Sequence, residues 1–342
     1  MSPVAQLLLR NLKGIDPGSK IYWINPTADG SWQEITNSSA EISMLSQNYS
    51  DWNYLATAGA NTEFSDFPSS IDKFDHVLLT LPHSKPRLEM MLDYVCSLLH
   101  KSGRLWLIGA NNAGIRSAGG RLKKRFEQVR KLDSARHGCL FEAKRPITPM
   151  SFEPEQYQSK WQLEEELQHL TIYSWPGVFA HGRLDAGTRL LLSVLQSLGP
   201  FGKVLDFGCG CGVISARIAD LDPSAQINMV DVDILALRSS RETANENDFE
   251  ARITANDGFT GLDRDFDLIV SNPPFHQGQR TDMTMSIKLM DKIRNFLKPH
   301  GSVVLVVNRH LPYRRWLDDR FGQHTVLTQD SNYQVLRAVK TP

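Results

Sequence analysis

The chain runs through one pattern twice. FDHVLLTLPHSKP, beginning at Phe74, matches FDLIVSNPPFHQG, beginning at Phe266: Phe-Asp, apolar-rich positions of strand length, then a proline turn. Each is followed by a helical segment and then by a Gly-led apolar run, SGRLWLIGAN from Ser102 and HGSVVLVVNR from His300. Each half also closes alike, with SARHGCLFEAKRP from Ser134 and SNYQVLRAVKTP from Ser331. One Phe-Asp strand recurs by chance; three matches in one order at similar spacing point to duplication of a whole unit. Apolar runs of strand length alternate with amphipathic helical stretches, the pattern of a parallel sheet covered by helices on both faces. An α/β domain built twice is expected. Pro146, Pro149 and Pro154, in a stretch with little periodicity, read as the linker between residues 1–150 and 151–342.

Composition fits that expectation. A length of 342 residues suits two domains of roughly 150 residues each. With 41% hydrophobic and 22% charged residues the chain is globular, which excludes disorder, collagen and coiled coil. Lys+Arg and Asp+Glu both number 38, so a polycation that coats nucleic acid by bulk charge is excluded, although a local basic face is not. The balance hides a split: 18 Lys/Arg face 14 Asp/Glu in residues 1–150, and 20 face 24 in residues 151–342. The opening MSPVAQLLLRNLKG holds too short an apolar run for a signal peptide. No window approaches the ~18 apolar residues of a spanning helix, so no membrane is expected. Cys96, Cys139, Cys209 and Cys211 lack metal-ligand spacing; reduced thiols in a cytoplasmic protein without metal are the expectation.

The halves differ where chemistry should sit. In KVLDFGCGCGVISARIA, residues 203–207 read as a buried strand and 213–219 as a helix, with Gly208, Gly210 and Gly212 alternating between them. Glycine there permits a tight turn and lets the backbone approach a ligand that a Cβ would block. A dinucleotide fingerprint would want a small residue where Val213 stands, which speaks against a dehydrogenase. Asp206 before an alternating Gly-x-Gly-x-Gly resembles motif I of the class I S-adenosylmethionine-dependent methyltransferases. Asp231 falls at the end of the next strand, where a carboxylate can accept hydrogen bonds from ribose hydroxyls; Asp233 lies beyond the strand end. The strand ITAND then offers Asn256 and Asp257, which by the same resemblance lie near the adenine. The first half has no such loop.

The second motif is DLIVSNPPFH, from Asp267 to His276. Two prolines remove backbone donors and fix the turn after the strand. The amide oxygen of Asn272 and the carbonyl of Pro273 can each accept a hydrogen bond from one amino group, while Phe275 offers a flat face to a planar base. An exocyclic amine has its lone pair conjugated into the ring. Two acceptors on its hydrogens pull it toward pyramidal geometry and aim the lone pair at a methyl donor. The methylated amine is acidic enough to lose its proton without a strong base, so His276 reads as a turn residue. The first half has Thr-Leu-Pro-His at this turn.

These motifs, with PGVFAHGRLDAGTRLLL from Pro176 to Leu192, LPY from Leu311 to Tyr313, and DSAR from Asp133 to Arg136, resemble the ribosomal RNA guanine-N2 methyltransferases. The resemblance is strong over residues 171–342 and looser over 1–150. It implies two tandem class I (Rossmann-like) domains, the first degenerate and lacking the cofactor loop. It also implies S-adenosylmethionine as methyl donor, one guanine of 16S rRNA in the small subunit as target, and a segment at Phe179 and Thr188 that folds over the cofactor. A monomer is expected. The guanine-N2 enzymes of 23S rRNA share every motif and stay open as a second reading. Adenine-N6 and protein glutamine methyltransferases share the Asn-Pro-Pro turn without calling for a cofactorless half. A non-catalytic RNA-binding assembly factor would be favoured by a broken glycine loop or turn, and both are intact.

One segment is charged out of proportion. Residues 116–136 hold Arg116, Arg121, Lys123, Lys124, Arg125, Arg130, Lys131 and Arg136 against Glu127 and Asp133. Cations set along an RNA path gain affinity by releasing counterions; the alternative is a solvated face. Gly114, Gly119 and Gly120 favour a flexible loop there. The first domain is expected to orient RNA and the second to do chemistry, with the target base leaving its stack to reach Asn272.

Overall fold

The computed structural model describes residues 1–16, 18–38, 41–68, 73–135, 137–147, 151–164, 167, 169–273 and 292–342. The chain divides into two compact units, Met1–Gln158 and Ser159–Pro342. Residues beyond position 150 pack with the first unit: the Phe152 ring centre lies 5.1 Å from that of Tyr94, and the Tyr157 hydroxyl donates to Asp93.

The first unit contains β1 (Lys20–Ile24), β2 (Glu41–Ser46), β3 (Thr62–Phe64), β4 (Phe74–Thr80), β5 (Leu99–Ala110), β6 (Phe126–Ala135) and β7 (Gly138–Pro146). They form one sheet in the order β3-β2-β1-β4-β5-β7-β6, parallel except for β7. The second unit opens with a hairpin of β8 (Ser159–Gln162) and β9 (Thr171–Ser174). Its sheet comprises β10 (Lys203–Phe207), β11 (Gln226–Asp231), β12 (Ala251–Ala255), β13 (Phe266–Ser271), β14 (Leu297–Asn308), β15 (Thr325–Gln329) and β16 (Tyr333–Val339). The order β12-β11-β10-β13-β14-β16-β15 repeats the first. Central strands such as β10 and β13 are buried almost throughout, as a sheet covered on both faces requires. Both sheets reverse strand order beside their first strand, and such a switch point opens a crevice at the carboxyl ends.

The repeat extends to single bonds. The Lys20 amide donates to Asp75 at 3.0 Å, and the Lys203 amide to Asp267 at 2.7 Å. Each lysine also lies over the phenylalanine of its Phe-Asp pair, at 5.6 Å from Phe74 and 5.1 Å from Phe266. The register shifts at Phe74/His76 and again at Phe266/Leu268. Gly301 follows that irregularity because a Cβ there would stand 2.7 Å from the Phe266 carbonyl.

In the first unit the corresponding polar groups bond to one another. Asn25, with φ 52°, turns the chain after β1 as Gly208, with φ 72°, turns it after β10. Their amides donate to matching carbonyls, Leu45 at 2.7 Å and Val230 at 2.9 Å. Asn25 then exchanges two hydrogen bonds with Gln47, which is buried and also donates to the Asp66 carbonyl. Thr80, at the position that Asn272 holds after β13, accepts from the Trp23 indole. Groups that would meet a ligand are thus satisfied by the protein itself.

Candidate active site

At the carboxyl end of the second sheet a cavity of about 350 Å³ joins residues from five stretches of sequence. Its floor is the turn between β10 and the Val213–Leu221 helix. Gly208 and Gly210 take φ of 72° and 56° and have nothing within 4 Å of where a Cβ would stand. They are open to the cavity and conformationally reserved for glycine. Gly212, also at positive φ, lies instead against Ser240 and does not line the cavity.

Asp231 ends β11 on the cavity wall, half-buried. It accepts from the Gly210 and Asp233 amides, both at 3.0 Å. Burial nevertheless pushes its carboxyl up to about 6. Asp233 caps the Ile234–Glu246 helix through the Leu235 amide. Asn256 and Asp257 also reach the cavity. The Asn256 side chain is spent on its own turn, donating to the Thr260 carbonyl and accepting from the Gly258 amide. Asp206 departs from expectation. It is fully buried behind the loop, where one carboxylate oxygen accepts from Ser215 at 2.7 Å, and it does not line the cavity. Burial pushes it up to about 7. Its role is to fasten the strand to the helix across the glycine turn.

Asn272 and Pro273 close the cavity on the β13 side. The Ser271 hydroxyl donates to the Phe207 carbonyl at 2.6 Å, tying the ends of β13 and β10 together. The Asn272 amide nitrogen donates to Thr188 Oγ1 at 2.9 Å and to Asp185 Oδ2 at 3.3 Å. Because a carboxylate only accepts, Asp185 fixes which end of the carboxamide is nitrogen. Oδ1 meets no donor among the described residues. Asp185 also caps the Ala186–Leu195 helix through the Thr188 amide, so one carboxylate anchors both a helix end and the side chain on β13. Sequence reasoning included Thr188 and passed over Asp185, whose pattern signals only a cap. Phe179, 59% exposed, stands at the rim. Phe275 and His276 lie outside the described residues.

The basic segment is not one surface. Gly119 and Gly120 sit in a short helix, Ala118–Leu122, instead of a loop, and Gly119 packs against the Phe141 ring. Arg125 grips Asp93 with two nitrogens at 2.5 and 2.7 Å and Glu89 with a third at 2.7 Å. Arg121 also pairs with Glu89, and Arg130 on β6 donates to buried Glu142 at 2.8 Å. Glu89 and Asp93 balance Arg121 and Arg125 within the fold, whereas Arg130 stays exposed and shares the single carboxylate of Glu142 with Lys144 and Arg104. Arg116, Lys123, Lys124 and Lys131 are exposed and form no ion pair among the described residues. Arg136 lies outside the described residues.

Residues 169–337 match the family described as Methyltransferase small domain, and residues 5–161 match Methyltransferase small domain N-terminal. The ribosomal RNA small subunit methyltransferase C of Hahella chejuensis is 36% identical over 328 residues, 94% of either chain. The protein of that name in Acinetobacter baylyi is 34% identical over 345 residues, covering 100% of both. Among solved structures, the T. Thermophilus 16S rRNA N2 G1207 methyltransferase in complex with AdoMet and guanosine matches with a TM-score of 0.86. That match spans 99% of this chain and 92% of that one at 23% identity, a likeness of fold. Relatives matched from end to end at this identity, on the same pair of domains, leave one assignment: the chain belongs to the ribosomal RNA small subunit methyltransferase C family.

Proposed function

We propose that this chain transfers the methyl group of S-adenosylmethionine to the exocyclic N2 amine of a guanine in 16S rRNA, with the small ribosomal subunit as substrate. The observation that carries the reading is the Asn272 carboxamide, locked by Asp185 and Thr188 with its oxygen left as an acceptor beside a glycine-cradled cavity. Relatives named for small-subunit rRNA favour 16S over 23S RNA. S-adenosylmethionine, when bound, supplies an electrophilic methyl group. Gly208 and Gly210 would admit it against the backbone, and Asp231 would accept from its ribose hydroxyls. Asn272 Oδ1 and the Pro273 carbonyl would accept the two amine hydrogens, turning the lone pair out of conjugation and stabilising the positive charge that grows on nitrogen. Phe275 would replace part of the stacking that the extruded base loses. The same reading has the protein work as a cytoplasmic monomer without metal. Among the described residues no helix is long and apolar enough to cross a membrane.

The test is radiolabelled transfer from S-adenosylmethionine onto unmethylated small subunits, followed by nucleoside analysis. Label in N2-methylguanosine supports the reading, and label elsewhere or nowhere rejects it. Asp231→Ala should weaken cofactor binding by at least about tenfold, the scale of one or two lost charge-assisted hydrogen bonds. Binding to the unaltered protein should also weaken below about pH 6, where the Asp231 carboxyl takes up its proton. Calorimetric titration checks both, and an unchanged affinity in the variant discards the assignment.

In the first unit, the RNA-orienting role falls to Arg116, Lys123, Lys124 and Lys131. Lys123→Gln with Lys124→Gln should weaken rRNA binding and lower its salt dependence by roughly 1.5 in the logarithmic slope. Arg125→Gln should chiefly lower stability instead, since it leaves Asp93 without a cationic partner and Glu89 with Arg121 alone. An unaltered salt slope in the double lysine variant would return that face to simple solvation.

A further inference from the structure

We propose that the catalytic unit has its own contact surface for the RNA backbone, formed by Arg309 and Arg314 on the rim beyond β14. It rests on the rRNA reading above and adds the place where the strand flanking the target base is held.

Position comes first. β13 and β14 are parallel neighbours, so Arg309, which directly follows β14, stands on the same carboxyl rim as Asn272. Arg314 lies in the first turn of the Tyr313–Phe321 helix that follows. Across from the end of β14, Tyr333 pairs with Asn308 and its ring packs against Gly187, two residues from Asp185. The rim is therefore continuous with the groups that hold the Asn272 amide.

Both arginines are oriented without being neutralised. Arg314 donates from Nε to Gln334 Oε1 at 2.7 Å and from Nη2 to Gln329 Oε1 at 3.1 Å. Gln334 is fully buried, a rigid anchor for an exposed guanidinium. Arg309 donates to the Asp330 carbonyl at 2.9 Å, while the Asp330 carboxylate accepts from the Asn332 and Tyr333 amides. Among the described residues no carboxylate forms an ion pair with either arginine. Two carboxamide oxygens fix the planar fork of Arg314 without cancelling its charge; Arg309 lies close enough to the Asp330 carboxylate for the two charges to interact but forms no ion pair with it, unlike Arg125 with Asp93 and Glu89. A fork so prepared matches the oxygens of a phosphate.

The duplication repeats the arrangement. β5 holds in the first sheet the place that β14 holds in the second, and the segment after β5 carries the unpaired Arg116, Lys123 and Lys124. Each unit thus sets cations outside ion pairs beyond the matching strand, β5 in the first and β14 in the second. A base extruded to reach Asn272 drags its flanking phosphates across this rim, which makes the RNA backbone the fitting partner.

The experiment measures methyl transfer to unmethylated small ribosomal subunits across a salt series, with Arg309→Gln and Arg314→Gln combined. The expected result is a KM for subunits raised about tenfold and a salt slope lowered by roughly 1.5, as for two lost phosphate contacts. Cofactor affinity reports whether the fold is intact; if the double variant loses it, each single variant should lower the slope by roughly 0.7 to 0.9. Arg314→Lys keeps the charge without the fork and should retain the slope with a smaller rise in KM. Unchanged KM and slope in folded variants overturn the surface. Failure of the unaltered protein to label small-subunit rRNA overturns the rRNA reading itself, and this surface with it.

Discussion

Asn272→Ala should slow methyl transfer about hundredfold while cofactor affinity stays within a few-fold. The size follows from removing one preorganised group aimed at charge that develops in the transition state. The oxygen can do that work because its own nitrogen is held at 2.9 Å by Thr188 and at 3.3 Å by Asp185. Thr188→Val, which deletes the nearer acceptor and keeps the shape, should cost about tenfold in kcat with little change in KM, and Thr188→Ser should restore most of it. Asn272→Asp sets a carboxylate against Asp185, and the repulsion should turn the new side chain away from the amine. Adding Asp185→Asn re-creates one donor facing one acceptor and preserves a helix cap. The double variant should therefore be faster than Asn272→Asp alone. Single-turnover rates at saturating cofactor give the comparison. A double variant no faster than the single one would mean that Asp185 serves its helix only.

Much of this site was legible because the motifs are local. Gly208, Gly210, Asp231 and Asn272 each lie at the end of a strand or within a few residues after it, and a parallel sheet delivers all such positions to one edge. What escaped depended on partners far along the chain. Asp185 looks like a plain helix cap, and only folding brings it to a side chain on β13. The charge run from Arg116 could be counted but not apportioned, since its neutralising acids, Glu89 and Asp93, belong to the Lys85–Leu98 helix. Asp206 shows the reverse. Its place before the glycines suggests a ligand, yet its carboxylate is turned inward to Ser215. The repeat was visible in Phe-Asp and in the apolar runs. The internal pairing of Asn25 with Gln47 was not, because both are unremarkable residues until their hydrogen bonds are seen.

The repeat also exposes a weakness in the first unit. On β4, His76 occupies the register position that Leu268 occupies on β13. It is 1% exposed, its ring edge meets Trp106 at 4.9 Å, and neither ring nitrogen has a hydrogen-bond partner among the described residues. Burial, reinforced by the nearby Arg104 and Lys144 charges and opposed by Glu142, lowers its pKa from 6.5 to about 3. The folded unit therefore keeps His76 neutral while the unfolded chain takes up a proton as pH falls through 6.5. The unfolded state binds more protons in that window, so stability drops as pH falls from 6.5 toward 3. Between pH 7 and pH 5 this one residue should remove on the order of 2 kcal/mol, at about 1.4 kcal/mol per pH unit. His76→Leu, which installs the residue the second unit uses, should remove that slope and also relieve the unpaired ring nitrogens, raising stability at pH 7 as well. Amide hydrogen exchange on β4 and β5, followed at pH 7 and pH 5, isolates the first unit from the second. If protection in the leucine variant falls with acid as steeply as in the unaltered chain, the proton is being taken up elsewhere and His76 is an ordinary core residue.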